Sequence, residues 1–315
     1  MDVTVGTFNL NNLFSRFNFE AEVSELGSSE KEVTETTTYR FDDPSTYRMR
    51  TFMGRLVKGK DARDTEAVAT RILRMDLDVL AAQEVEDIDT LRRFNRENLH
   101  NLYAHAVLVE GNDTRLIDVA VLSKLPIGRI VSWQTAVNQA DPGRPAFSRD
   151  LLEVEILSAS RAERLFTLFV NHLKSHFVSP PETDDDANSR RLLQAETVAY
   201  IVSKEMRPDS SFLVVGDMND PPTSPYLAPM TAGLVDGLAS PQETHPPKPD
   251  DPPPPSVAWT HRFKESGKPA RYELFDHVWL SPALARRQTE AWIDRRVNLT
   301  GDGSDHDPAW VRLEV

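Results

Sequence analysis

The chain has 315 residues, of which 39% are hydrophobic and 27% charged, and its formal net charge is −13, with a pI near 5.1. An acidic protein repels polyphosphate at long range, which disfavours tight non-specific gripping of duplex DNA, although bound divalent cations reverse the field locally. Cysteine is absent, which excludes disulfides, thiolate metal centres and cysteine nucleophiles. That absence leans slightly toward a reducing cytoplasm, but a secreted chain stripped of its leader would read the same, so the compartment stays open.

The first apolar run, VTVGTF, reads as a buried strand that starts within a few residues of Met1. This leaves no room for a signal peptide, and no later stretch approaches the ~20 apolar residues of a membrane span. Residues 15–60 are polar and poorly periodic and are expected to form an insertion, with a hairpin near TTTYRF and a basic run of Arg48, Arg50, Arg55, Lys58 and Lys60 that reads as a solvated face. Val68, Ala69, Ile72, Leu73 and Met75 predict a helix over 64–75 with Asp64 as its cap, leading into the strand around Val79–Ala82. A shorter helix is expected at 87–98, then strands near 103–109, 117–123, 151–157 and 164–171. Leu192, Ala195, Ala199, Val202 and Met206 predict a second long helix, 188–206, capped by Asn188 or Ser189, which leads into Phe212–Val215. Residues 241–256 hold many of the 22 prolines and form neither helix nor central strand; strand patterns resume at 257 and 272–281. Many strands with few helices predict an α/β (α+β) architecture of two mixed sheets packed face to face, with helices outside, in one domain.

Polar clusters stand at the ends of the apolar runs. Period-2 alternation in VTVGTFNLN puts Val3, Val5, Thr7, Asn9 and Asn11 on one strand face. The two amides suit a hard cation or phosphate oxygens, although asparagine after a strand also serves turns. Glu84 closes an apolar strand, where a carboxylate needs a cation or a salt-bridge partner. His172, Lys174 and His176 follow LFTLFV and share a face: His172 is a candidate acid or phosphate contact and Lys174 a candidate phosphate screen, whereas His176 could as well be solvated. In Gly216-Asp217-Met218-Asn219 the acid and amide point the same way and can orient or deprotonate a water. Asp276, embedded in FDHVW, is suited to hold the ring of His306 in SDHDP. Arg115 could reach a phosphate bidentately, and Asp118 could support His172. Brought to one end of a sandwich, these side chains supply what a dication and a phosphate ester need.

In order, FNLNN, QE, NHLKS, GDMN, FDHV and SDHDP resemble the endonuclease/exonuclease/phosphatase superfamily, which includes pancreatic-type deoxyribonuclease, abasic-site endonucleases, neutral sphingomyelinases and inositol-polyphosphate 5-phosphatases. The resemblance implies a four-layer α/β sandwich and hydrolysis of a phosphoester with Mg²⁺ or Mn²⁺, Ca²⁺ being admissible. It implies metal-site roles for Asn9, Glu84 and Asp305, and catalytic roles for His172, Asp217, Asn219 and the pair Asp276 and His306. Asn11, Arg115 and Lys174 are the candidate substrate contacts. The expected protein is a monomeric phosphodiesterase, foremost a nuclease. The alternatives are an enzyme for small or lipid phosphoesters such as inositol phosphates or sphingomyelin, and a non-catalytic binding module on the same fold.

Overall fold

The computed structural model describes residues 1–14, 60–113, 115–178, 180–207, 209–245, 252–298 and 302–315. The expected insertion, its hairpin and all of its basic run but Lys60 therefore lie outside the described residues, as does the middle of the proline-rich loop. The elements in order are β1 (Asp2–Leu13), α1 (Ala62–Met75), β2 (Val79–Val85), α2 (Ile88–Glu97), β3 (His105–Leu108), β4 (Asp118–Ser123), β5 (Ile127–Ser132), β6 (Leu152–Leu157), β7 (Arg164–His172), α3 (Asp184–Glu205), β8 (Phe212–Asp217), α4 (Ala228–Thr231), β9 (Val235–Asp236), β10 (Gln242–Glu243), β11 (His261–Phe263), β12 (Arg271–Glu273), β13 (Asp276–Leu280), α5 (Pro282–Ala285), β14 (Gln288–Ile293) and β15 (Ala309–Glu314).

Two large mixed sheets carry the fold, in the orders β10-β14-β15-β1-β2-β4-β3 and β5-β6-β7-β8-β13-β9. The strands expected near 103–109, 117–123, 151–157 and 164–171 have their counterparts, whereas the pattern expected to resume at 257 begins only at β11 and that over 272–281 is divided between β12 and β13. The apolar, inward positions of the two sheets, Val3, Val5, Val79, Ala81 and Val311 on one side and Leu168, Val170, Leu213, Val215 and Val278 on the other, form one buried core between them. The outward apolar positions of the first sheet (Phe8, Leu10, Leu80, Ala82) pack under α1 and α2 through Val68, Ile72, Leu91 and Phe94. Those of the second (Phe169, Phe212, Val214) pack under α3 through Ala195, Val198 and Ile201. Helix, sheet, sheet, helix: each amphipathic element has a partner for its apolar face, and the result is a four-layer α/β sandwich.

Helix starts follow side-chain capping. Asp61 caps α1 by accepting from Arg63 N, three residues before the expected Asp64. Thr183 opens α3 with a reciprocal capping box to Asp186, so that helix begins four residues before its apolar stripe suggests. Each sheet contains a parallel pair joined through a long helix, β1–β2 through α1 and β7–β8 through α3; the first sheet also pairs β10 with β14 in parallel. Parallel neighbours end at the same edge of their sheet, and this delivers Asn9 and Gln83 to one rim and His172 and Asp217 to the facing one.

Candidate active site

The site is the topmost layer of the sandwich core. Along β1 the inward positions read Val3, Val5, Thr7, Asn9; the second sheet ends its inward rows with His172 after Val170 and Asp217 after Val215. His172 registers with Asp217, and Asp217 with Asp276, so the three side chains stand in a row across β7, β8 and β13. All three are buried, as is Asn9 opposite them. Gly216 makes the row possible. Its φ is +136°, and a Cβ there would lie 2.0 Å from the Asn171 carbonyl oxygen, so no other residue lets β7 and β8 come this close.

The groups converge on one oxygen. Asp217 Oδ2 accepts from Asn9 Nδ2 at 2.9 Å and lies 3.6 Å from His172 Nε2 and 3.8 Å from His306 Nε2. Its other oxygen accepts from the Asn219 backbone N–H at 2.9 Å. His306 Nδ1 bonds Asp276 Oδ2 at 2.7 Å, the contact anticipated for that pair. The turn carrying His306 is tied to the first sheet, since Ser304 Oγ donates to the Asn9 carbonyl at 2.7 Å and accepts from His306 N at 3.0 Å. Below the turn, buried Asp307 meets Arg71 at 3.0 Å, Arg295 at 3.3 Å and Arg296 at 2.9 Å.

The electrostatics separate the roles. Burial lowers the affinity of His306 for a proton, but the carboxylates of Asp276 and Asp217 outweigh it and raise its pKa to about 10. Burial pushes Asp217 up to about 7, against the pull of His306. His172 is driven well below its usual value by burial, then by Arg149, His306 and Arg115. At neutral pH the cluster therefore holds a cationic His306, a neutral His172 and a carboxyl group poised to change protonation.

Not every expected side chain joins this cluster. Alternation along β1 ends at Leu10: Asn11 and Asn12 take left-handed φ of 47° and 58°, so Asn11 does not project beside Asn9. Instead its N–H donates to Asn9 Oδ1 at 2.9 Å, and its own Oδ1 accepts from Asn12 Nδ2. Glu84 is also left-handed, with φ of 61°, at a bulge in β2. The bulge turns a side chain that alternation would send outward toward the rim, where Asn12 N holds Oε2 at 3.0 Å and Oε1 lies 4.0 Å from His172 Nε2. Asn219, again left-handed, donates from Nδ2 to the Leu173 carbonyl at 3.1 Å. Left-handed backbone thus gathers at three strand ends that face one cleft.

Lys174 and His176 lie past the end of β7 and share no strand face with His172. Lys174 Nζ donates to the Phe177 carbonyl at 2.7 Å and pairs with Glu182 at 3.1 Å. The half-exposed His176 meets Asp220 at 3.2 Å and stacks on Phe275. Arg115 forms a two-point pair with Asp113, at 3.1 and 3.0 Å. Asp118 accepts from Gly111 N at 2.8 Å, and His172 Nδ1 has no hydrogen-bond partner among the described residues, so the suggested Asp118 support of His172 is not made.

Three neighbours were not expected at the site. Buried Arg149 pairs with Asp113 at 3.1 Å and reaches the Leu173 carbonyl. Lys60, expected on a solvated face, is instead part-buried and donates to the Asn11 carbonyl at 2.7 Å, in the field of Asp64, Asp305 and Glu84. His261 places Nε2 3.7 Å from Asp305 Oδ2. An arginine before a strand or a histidine beginning one is an ordinary sequence feature, and only the fold brings these three to the rim. Among the described residues, the His/Asp/Glu groups whose donor atoms gather within 4.8 Å are Asp217–Asp276–His306 and His261–Asp305–His306. The first is internally hydrogen-bonded. The exposed Asp305, with Glu84 and the Asn11 backbone on the neighbouring rim, offers the oxygen donors that a divalent cation takes.

With this geometry in view, comparison with known proteins is decisive on kinship. The Endonuclease/Exonuclease/phosphatase family model matches residues 6–306. The chain belongs to that family. Members of the Endonuclease/Exonuclease/phosphatase family are generally phosphoester hydrolases. An AP endonuclease from Archaeoglobus fulgidus superposes with a TM-score of 0.60 at 16% identity, covering 99% of this chain and 100% of that one. A mannosyl-6-phosphatase from Bacteroides thetaiotaomicron gives 0.55 at 12% identity over 99% and 100%. Truncated Caenorhabditis elegans TDP2 gives 0.56 at 15% over 100% and 98%. At these identities the similarity establishes a shared fold. No curated protein matches the sequence.

Proposed function

We propose that the chain is a divalent-cation-dependent phosphodiesterase acting on nucleic acid. The observation that carries this reading is the convergence of Asn9, His172 and His306 on Asp217 Oδ2, at 2.9, 3.6 and 3.8 Å. A carboxyl group pushed up to about 7 is matched to accepting a proton from water near neutral pH. Asn9 and the Asn219 N–H fix its orientation, so the accepting oxygen faces His172 and His306. His306, held cationic by Asp276, supplies fixed positive charge where charge builds on phosphoryl oxygens in the transition state. Neutral His172 can donate a hydrogen bond from Nε2 to a non-bridging oxygen, and burial, reinforced by Arg149, keeps it neutral. Glu84, Asp305 and the Asn11 rim are the residues that would hold the cation, which when bound polarises the phosphoryl group and lowers the pKa of water. The reading is direct, in-line attack by water with no covalent intermediate.

A second substrate class has its own support: at a net charge of −13 the protein repels a substrate with one or two phosphates less than it repels a long polyanion. Incubating the protein with plasmid DNA, RNA, sphingomyelin and inositol phosphates, each with Mg²⁺ and with EDTA, separates the two. Nicking or strand cleavage that EDTA abolishes supports the nuclease; release from small esters alone supports the second class; no turnover of any substrate would refute both.

A further inference from the structure

We propose that His261 and Asp305 form a second cation site, distinct from the Glu84 side of the rim, that takes a divalent transition metal in preference to Mg²⁺. The proposal rests on reading Asp305 as a cation ligand and adds to it a nitrogen donor. His261 Nε2 lies 3.7 Å from Asp305 Oδ2. That is too long for a hydrogen bond, but two ligands on one ion, each about 2.1 Å from it and 90–110° apart, are separated by roughly 3.0–3.4 Å. A few tenths of an ångström of side-chain movement would close the gap. The imidazole is held for this. Its ring lies between Phe275 and Phe263, at 5.0 and 6.5 Å between centroids and 18° between planes in both cases.

The two donor loops are also laced together. Asp307 N donates to the Thr260 carbonyl at 2.6 Å, His261 bridges His306 across the backbone, and Arg296 Nη2 holds the Asp305 carbonyl at 2.7 Å. Backbone and ring are thus fixed, while the Asp305 side chain is half-exposed. His306 has its ring 4.8 Å from that of His261, but its Nδ1 is engaged by Asp276, and it is not needed as a ligand. Water or a substrate oxygen would complete the shell. An imidazole in a mixed nitrogen–oxygen pair favours Mn²⁺, Co²⁺ or Zn²⁺, whereas Mg²⁺ prefers an all-oxygen shell.

Mn²⁺ is the probe. Titration of the whole protein with MnCl₂, followed by calorimetry and by pulsed EPR, should give two binding events in wild type and ¹⁴N modulation from an imidazole. His261→Phe, which keeps the ring stack and removes the nitrogen, should weaken one Mn²⁺ event at least ~10-fold and reduce the ¹⁴N signal, while Mg²⁺ binding changes less than ~2-fold. Asp305→Asn removes a carboxylate that both sites share and should weaken both events. Wild-type Mn²⁺ without nitrogen coupling, or isotherms identical in wild type and His261→Phe, would overturn the proposal, and the wild-type spectrum decides even if the variant fails to fold. These readouts need no turnover, so loss of the second site leaves the phosphodiesterase reading standing, and failure of the substrate panel leaves the metal result standing.

Discussion

Replacing Asp276 with asparagine isolates what its charge does to His306. An asparagine Oδ1 can still accept from His306 Nδ1, so the 2.7 Å contact and the ring's position are retained while the carboxylate's charge is lost. In the wild-type fold the rise of His306 from 6.5 to about 10 corresponds to on the order of 5 kcal/mol in favour of the charged ring. Burial opposes that rise and Asp276 is the largest contributor to it, so the asparagine variant should lower the His306 value by roughly 2 or more. Because the folded-state value lies above the unfolded one, this interaction stabilises the fold fully below pH 6.5 and is lost as pH rises through about 10. The assay is NMR titration of the imidazoles in metal-free protein, where the chain's eight histidines keep assignment tractable. Turnover at neutral pH should fall about 10²–10⁴-fold, since the fixed cation opposite Asp217 is lost. His306 titrating near 6.5 in wild type, or unmoved by Asp276→Asn, would refute the electrostatic reasoning.

Three further outcomes are expected. Glu84→Gln keeps the side chain's size at the left-handed bulge but removes its charge; Mg²⁺-supported turnover should fall at least ~100-fold with the melting temperature nearly unchanged, and wild-type turnover would remove Glu84 from the site. Gly216→Ala should destabilise the fold by about 2–5 kcal/mol in urea unfolding, because a Cβ would meet the Asn171 carbonyl at 2.0 Å with φ already left-handed. Buried Asp150, raised by burial to about 7, has one oxygen without a partner among the described residues and the other accepting from Trp133 N at 2.8 Å. Its folded value lies above the unfolded one, so wild type loses stability as pH rises from about 4 through 7; Asp150→Asn should therefore gain about 1–4 kcal/mol on wild type between pH 5 and pH 8.

Much of this was legible because the strands are short apolar runs that stop abruptly at polar residues. Asn9 continues an inward row of Val and Thr, and His172, Asp217 and Asp276 each stand at the end of an inward apolar row, so the ends of the apolar runs marked them. Periodicity failed where the backbone leaves the pleat. The left-handed turns at Asn11 and Glu84 redirect side chains in a way no alternation encodes, and β7 ends at His172, which strands Lys174 and His176 in a loop. Short strands such as β9 and β10, with no apolar run of their own, are stabilised by pairing and gave no local signal. Arg149, Lys60 and His261 were unreadable for another reason: each owes its place to residues far away in sequence. Helix starts were misplaced because a capping side chain, as at Asp61 and Thr183, sets the first turn ahead of the apolar stripe.

In the proposed reaction Asp217 and His306 work on one phosphorus centre as a single unit. Measuring kcat/KM for Asp217→Asn, His306→Ala and the double variant tests it directly. Each single change should cost about 10²–10⁴-fold, and the double variant should be within ~10-fold of the worse single. Losses that multiply in full would contradict it.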